Sequence, residues 1–216
     1  MFVGHLAVAL GAKTVEPKAP LGALVAASFG VDLLWPLLLF AKVEIVQVAP
    51  GITAFTPLDF VFYPYTHSLA AAVFWGLVGF GIAYLFLKSF RVAAIIGSVV
   101  VSHWVLDFVT HRPDLPLGPA DPKVGLGLWN SIPGTLIVEG GLFAVAIALY
   151  VRSQKPTDAI GRWAFFALIA LTGLIWVTQP WSPPPPSATA VAVVALAMWL
   201  FPVWAWWIDR HRTAAT

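Results

Sequence analysis

The 216-residue sequence contains no cysteine, which excludes disulfides, zinc–thiolate sites, iron–sulfur clusters and thiol nucleophiles together. Charge is nearly as scarce. Lys, Arg, Asp and Glu make up 10% of the chain against 60% hydrophobic residues, where an ordinary soluble domain has about 25% charged and roughly 45–50% apolar. So few charges cannot clothe a water-facing surface, which excludes a soluble globular domain, and the same hydrophobicity excludes disorder. A net charge of +2 is too small to point to nucleic acid, and no such partner is expected. The first ten residues lack a basic region, and His5 interrupts their apolar stretch, so they do not read as a signal peptide.

What the sequence does have is long apolar runs, at 21–40, 68–87, 92–109, 134–151, 163–178 and 188–208. Each is long enough, or nearly so, to cross about 30 Å of hydrocarbon at 1.5 Å per residue. The expected fold is therefore an all-α membrane protein in one domain over residues 1–216. It is a bundle of about six transmembrane helices with a short N-terminal helix and extracytoplasmic loops. Pro36 is expected to end the first helix early. Residues 2–12 are too short to span and read as an amphipathic or re-entrant helix. Segment 43–48 alternates like a short strand, 110–133 is dense in Pro and Gly and reads as an ordered loop, and the four prolines at 183–186 read as a polyproline II spacer.

Charge sets the expected orientation, because Lys and Arg concentrate in cytoplasmic loops. The stretches 13–20, 88–91 and 152–162 and the C-terminal tail sum to +6, whereas the remaining loops sum to −1. Six spans with both termini cytoplasmic satisfy this pattern. Against a total of +2, three negative charges remain, and they are Asp32, Asp107 and Glu139, all inside apolar segments. A carboxylate in hydrocarbon costs at least a few kcal/mol and normally faces a partner or a wet cavity. No Lys or Arg lies within a span to neutralise these three.

Histidines supply another partner. His103 and His111 flank Asp107 at spacings of four, which puts all three on one helical face if the helix continues through them. His67 begins the second span, Glu139 falls early in the fourth and Asp32 lies past the middle of the first, so several segments deliver Asp or His to one depth on the outer side. Imidazole and carboxylate without thiolate suit Zn²⁺, Mn²⁺ or Fe²⁺, and a divalent cation would offset the acids. The expected cofactor is one to three such ions, zinc foremost, with His5, Asp32, His67, His103, Asp107, His111 and Glu139 as candidate ligands. The plainer readings are a helix-packing Asp, an interfacial His67, a close helix approach at Gly140-Gly141 beside Glu139, and a solvated His211 in the basic tail.

Gly4-His5, Asp32, Tyr65-Thr66-His67-Ser68 and Ser102-His103-x3-Asp107, in that order, resemble the bacterial inner-membrane metal-dependent hydrolases described as LexA-regulated. The likeness covers roughly residues 4–115. That family's Pro-Asp-x-Asp-His element is reduced here to Val31-Asp32-Leu33-Leu34-Trp35, so one acid and one His are missing. The series Asp32, His67, His103, Asp107 also looks like one metal site of the zinc-dependent phospholipase C superfamily. His111 and Glu139 would correspond to part of a second site and His5 to a third, although Thr135 stands where the second site has its His. The resemblance implies hydrolysis of a phosphoester.

Catalytic roles are accordingly expected for Asp107, which could bridge two ions, for Glu139, and for Arg112 as a phosphate clamp. The bland alternative for Arg112 is a salt bridge to Asp114 or Asp121. Depth near the outer leaflet suggests a lipid or lipid-phosphate substrate, with 43–66 and 112–132 roofing the site and Trp129-Asn130-Ser131 facing a headgroup. Two other classes stay open: an ion or small-molecule transporter with an intramembrane metal or proton site, and a bis-His haem protein using His67 with His103 or His111. A catalytically inactive relative that retains its ion is a third.

Overall fold

The computed structural model describes residues 1–119 and 122–215. Ten helices and three small two-stranded sheets follow one another: α1 Val3–Val15, α2 Leu21–Ser28, α3 Gly30–Phe40, β1 Ile45–Val48, β2 Leu58–Phe62, α4 Pro64–His67, α5 Leu69–Leu87, α6 Phe90–Thr110, β3 Leu115–Pro116, β4 Lys123–Val124, α7 Ile132–Ser153, β5 Gln154–Pro156, α8 Ala159–Thr178, α9 Ala188–Leu196, α10 Leu200–Asp209 and β6 Arg212–Ala214. The chain is thus mostly helical. Among the described residues, five helices are long and apolar enough to cross a membrane, α9 and α10 counting as one, and a sixth results if the bent pair α2–α3 is one span.

Helix starts follow local chemistry. α5, α6, α7, α8 and α9 are each preceded by a Ser or Asp whose side chain accepts a backbone N–H of the first turn: Ser68, Ser89, Ser131, Asp158 and Ser187. Such caps satisfy N–H groups that have no intrahelical partner. α5 and α6 form a hairpin through Gly76 and Gly97, where a Cβ on Gly97 would meet the Gly76 carbonyl at 2.8 Å. Small residues of this kind let apolar helices approach closely.

The first apolar segment departs from expectation. It bends by 51° between α2 and α3, at Phe29, while Pro36 sits inside α3. A proline removes one N–H, and here the loss does not end the helix. α1 is buried on most sides, with Val3, Leu6, Ala7, Ala9 and Leu10 in the main core, so it is a central packing element and not a surface amphipath. Segment 43–48 does hold a strand, paired antiparallel with β2, and the described residues of 110–133 include the small β3–β4 sheet and a 3₁₀ turn over 128–130.

The two ends of the bundle differ in chemistry. At one, Lys13 pairs with Asp209 at 2.8 Å and Arg91 with Glu16 at 2.7 Å. His211 is half-buried there and pairs with Asp158 at 2.6 Å, in place of the solvated role expected for it. The Gly161 N–H and His211 hold the Asp158 carboxyl below the usual carboxylate range. The other end carries the β1–β2 hairpin, the 111–131 loop and the predicted site residues. Between them, large apolar side chains stand exposed, among them Leu77, Phe86, Ile137, Trp163 and Val194. Soluble monomers seldom show so extensive an apolar belt.

Candidate metal centre

Five of the predicted ligands converge. His5 Nε2 lies 3.1 Å from Asp107 Oδ1, and His103 Nε2 lies 3.1 Å from Asp107 Oδ2. The same His103 nitrogen is 3.7 Å from Asp32 Oδ1, which His67 Nε2 approaches at 3.2 Å. Two triads result, His5–His103–Asp107 and Asp32–His67–His103, each with its ligand atoms close enough to share an ion. In a tetrahedral site with ligands at about 2.0–2.1 Å, neighbouring ligand atoms stand roughly 3.3 Å apart. Three of the four spacings, at 3.1–3.2 Å, lie close to that value, and the His103–Asp32 spacing of 3.7 Å is wider.

Backbone and side-chain partners fix the tautomers. Helix-end carbonyls lack intrahelical donors, and the bend after α2 presents the Ser28 carbonyl to His103 Nδ1, 2.8 Å away. His103 therefore carries its proton on Nδ1. Its Nε2 is buried, makes no hydrogen bond of good geometry, and faces two carboxylates. On the other wall, Thr66 Oγ1 donates to Glu44 Oε2 at 2.6 Å and so must accept from His67 Nδ1, also at 2.6 Å. Glu44 is held as an acceptor by the Tyr65 and Thr66 N–H groups. His67 Nε2 is consequently a lone pair aimed at Asp32. Acceptors facing acceptors are unfavourable unless a cation or protons lie between them, and an imidazole whose far N–H is bound to a carbonyl or a hydroxyl–carboxylate chain is the usual support of a metal ligand. The geometry fits a divalent ion.

Asp107 has a second counter-charge that a count of Lys and Arg omits. The amino group of Met1 pairs with its Oδ1, and both groups are buried. The His5 and His103 rings stack in parallel, with centroids 3.7 Å apart and planes inclined by 6°, an arrangement suited to neutral imidazoles.

The other predicted residues take different places. Glu139 is fully buried, and its Oε1 accepts from the N–H groups of Phe2 at 2.5 Å and Gly4 at 3.1 Å. It caps α1 from a distant helix and thereby sets the position of His5. Of the two glycines beside it, Gly140 receives the Trp176 ring and Gly141 faces open space. Glu139→Ala should lower the unfolding temperature, since each buried donor left unmade costs about 1–3 kcal/mol. Glu139→Gln should restore most of the loss and leave metal content unchanged. Metal lost from Glu139→Gln, measured by elemental mass spectrometry, would make Glu139 a ligand instead.

His111 lies outside both triads. α6 ends at Thr110, and His111 is extended at φ −63°, ψ 143°, so it leaves the helical face that its spacing suggested. Pro113 disfavours continued helix at Arg112. The His111 Nδ1 instead meets Asp114 Oδ1 at 3.0 Å, while Arg112 Nε donates to Asp114 Oδ2 at 2.9 Å and its Nη2 reaches Asp59 at 2.5 Å. Arg112 is thus occupied by two carboxylates and sits apart from the ligand cluster. Asp121, its other expected partner, lies outside the described residues. Burial pushes the His111 imidazole below its usual pKa even beside Asp114.

Six of the predicted residues border one cavity of about 680 Å³. His5, Asp32, His67, Asp107, His111 and Glu139 line it, roofed by Phe60 and Trp129. The two roofing loops meet where Phe55 N–H donates to the Trp129 carbonyl at 3.0 Å. Ser131 is used as the cap of α7 and Asn130 is exposed, so of the three expected headgroup contacts only Trp129 lines the cavity. The Nε2 atoms of His67 and His103 converge on one Asp32 oxygen, which leaves no slot for a macrocycle between that pair. Glu44 and Tyr63 escaped the sequence reading, which named Thr66 only within its motif and Asp114 only as a salt-bridge partner of Arg112, a pairing that is present. The alternation of 43–48, which buries Glu44 beside Val46, was the available signal. Neither protein-family models, curated proteins nor solved structures give a match to this chain.

Proposed function

We propose that the protein is a multi-pass membrane hydrolase of bacterial inner-membrane type. In this reading it uses a divalent cation, zinc by preference, to cleave a phosphoester of a lipid at the extracytoplasmic face. The observation that carries the reading is the convergence of two tautomer-fixed imidazole lone pairs on Asp32 and Asp107. The apolar belt and the basic opposite end support a membrane position with both termini cytoplasmic. The four sequence elements that resemble the LexA-regulated hydrolases are those that meet at the cluster.

A divalent ion there would supply a Lewis acid for a phosphoryl oxygen and acidify a neighbouring water. The chain's own contribution is proton movement and orientation. With Nδ1 engaged by Asp114, His111 offers its other nitrogen from a ring that lines the same cavity as the ligands. Arg112 fixes Asp114 from behind, and Tyr63 hydroxyl donates to the Asp114 carbonyl at 3.2 Å. Held this way, His111 can take a proton from the attacking water and return it to the leaving oxygen. Phe60 and Trp129, with ring centroids 4.8 and 4.4 Å from that of His111, limit water around it.

The test is phosphate or headgroup release from a panel of phospholipids and polyprenyl phosphates, using zinc-loaded protein in nanodiscs. His111→Gln should lower turnover by about 10²–10⁴-fold with metal content unchanged. No hydrolysis by metal-loaded protein, together with cation flux in proteoliposomes, would favour the transporter alternative. Intramembrane acids and histidines serve that class too. Its usual pair of matching broken helices has one counterpart here among the described residues, α2–α3.

A further inference from the structure

The cavity is not polar throughout. Every His and acid lining it belongs to α1, α3, α4, α6, α7 or His111, whereas α8, α9, α10 and the 197–199 turn between the last two contribute Leu171, Ile175, Val191, Val194, Met198 and Phe201. Leu171 and Ile175 lie four residues apart on one face of α8, Gln179 follows just past its end, and the arm formed by α9 and α10 lines the cavity at nine positions between 190 and 204, all apolar but for the Trp204 N–H. α8 packs on α10 while α9 packs on α3. Ile175, Val194 and Leu200 are 45%, 72% and 64% exposed, so the apolar side of the cavity opens laterally, along the helices. The end of the bundle is roofed by the 45–62 hairpin and by Pro183, Pro185 and Pro186.

We infer that the slot between α8 and α9 is a hydrocarbon-binding cleft that admits one acyl chain of a membrane lipid sideways from the bilayer, seating its phosphate headgroup at the His/Asp cluster. The inference rests on the membrane reading above and narrows its substrate to an amphiphile presented laterally. The polarity of the cavity matches such a molecule: charged ligands at one pole, an uncharged apolar corridor at the other, and a mouth at the depth of the exposed belt. Water gains nothing in a corridor with so few polar partners. A tail passing from bilayer to cleft stays in hydrocarbon throughout, so the cleft orients a lipid without having to extract it. A volume of about 680 Å³ lies within the roughly 300–1,000 Å³ of cavities that enclose small molecules.

The experiment uses the full chain in phosphatidylcholine nanodiscs with phosphatidic acid carrying a diazirine in one acyl chain. Irradiation and peptide mass spectrometry then locate the adducts. Adducts should concentrate on Leu171, Ile175, Val191, Val194 and Met198, with at least about five-fold enrichment over Leu77 and Phe86 of α5, and fall by a similar factor in Ile175→Trp and Val194→Trp. Unlabelled phosphatidic acid should compete. Even labelling of all exposed helices overturns the cleft, as does labelling that both Trp variants leave unchanged. If neither variant folds, the wild-type adduct map still decides. Bound metal measured on the same samples separates the two claims. Metal with even labelling removes the cleft alone, and cleft labelling without metal removes the metal centre alone.

Discussion

His103→Ala protein is expected to lose metal binding outright, with affinity reduced by more than the roughly 10–100-fold that follows loss of an outer partner. His103 is the one imidazole common to both triads, so its removal breaks each of them, and Asp32 and Asp107 are left without the nitrogen that stands between them. Metal stoichiometry after dialysis, read by elemental mass spectrometry, checks this. His103→Gln keeps much of the volume beside His5, and its behaviour on gel filtration separates ligand loss from misfolding. Equal metal in wild type and both variants would show that the cation, if any, sits elsewhere.

The second large effect comes from a residue that would touch no ion. Glu44→Gln is expected to weaken metal binding by about 10–100-fold. The carboxylate accepts the Thr66 hydroxyl proton and so forces His67 to place its own proton on Nδ1. An amide at position 44 can present N–H to Thr66 Oγ1 instead. The hydroxyl then turns to donate to His67 Nδ1, the ring proton moves to Nε2, and the lone pair that faced Asp32 disappears. Nitrogen NMR of labelled histidine should show this tautomer change directly, and Glu44→Asp should rescue part of the affinity. An unchanged His67 tautomer with unchanged metal affinity would reduce Glu44 to a cap of α4.

The sequence showed the apolar segments, the strand at 43–48 and the meeting of Asp32, His67, His103 and Asp107, because hydropathy and helical spacing are local properties. Its failures have physical reasons. Pro36 was expected to end the first helix early, yet α3 absorbs the loss of one N–H and the break falls at Phe29 instead. His111 was placed on the Asp107 face by counting four residues, but Pro113 makes α6 stop one residue short and turns the ring to Asp114. Glu139 has a part that spacing could not show, since its Oε1 accepts N–H groups more than a hundred residues away, while its Oε2 is buried without a partner. The Met1 amine, also buried on Asp107, carries a charge that an inventory of side chains never counts. The starts of the long helices follow from caps at Ser68, Ser89, Ser131, Asp158 and Ser187, which the sequence carries as local signals. The Thr-His-Ser element likewise resolves into a tautomer-setting hydroxyl at Thr66, an imidazole at His67 and a cap for α5 at Ser68.

X-ray absorption at the zinc edge of the purified, zinc-loaded chain tests the metal centre most directly. The account predicts a nitrogen and oxygen shell at about 2.0–2.1 Å with the multiple-scattering signature of at least two imidazoles, absent from His103→Ala. An all-oxygen shell without imidazole, or protein that holds no stoichiometric metal, would contradict it. Asp32 and Asp107 would then be balanced by imidazolium protons and the Met1 amine alone.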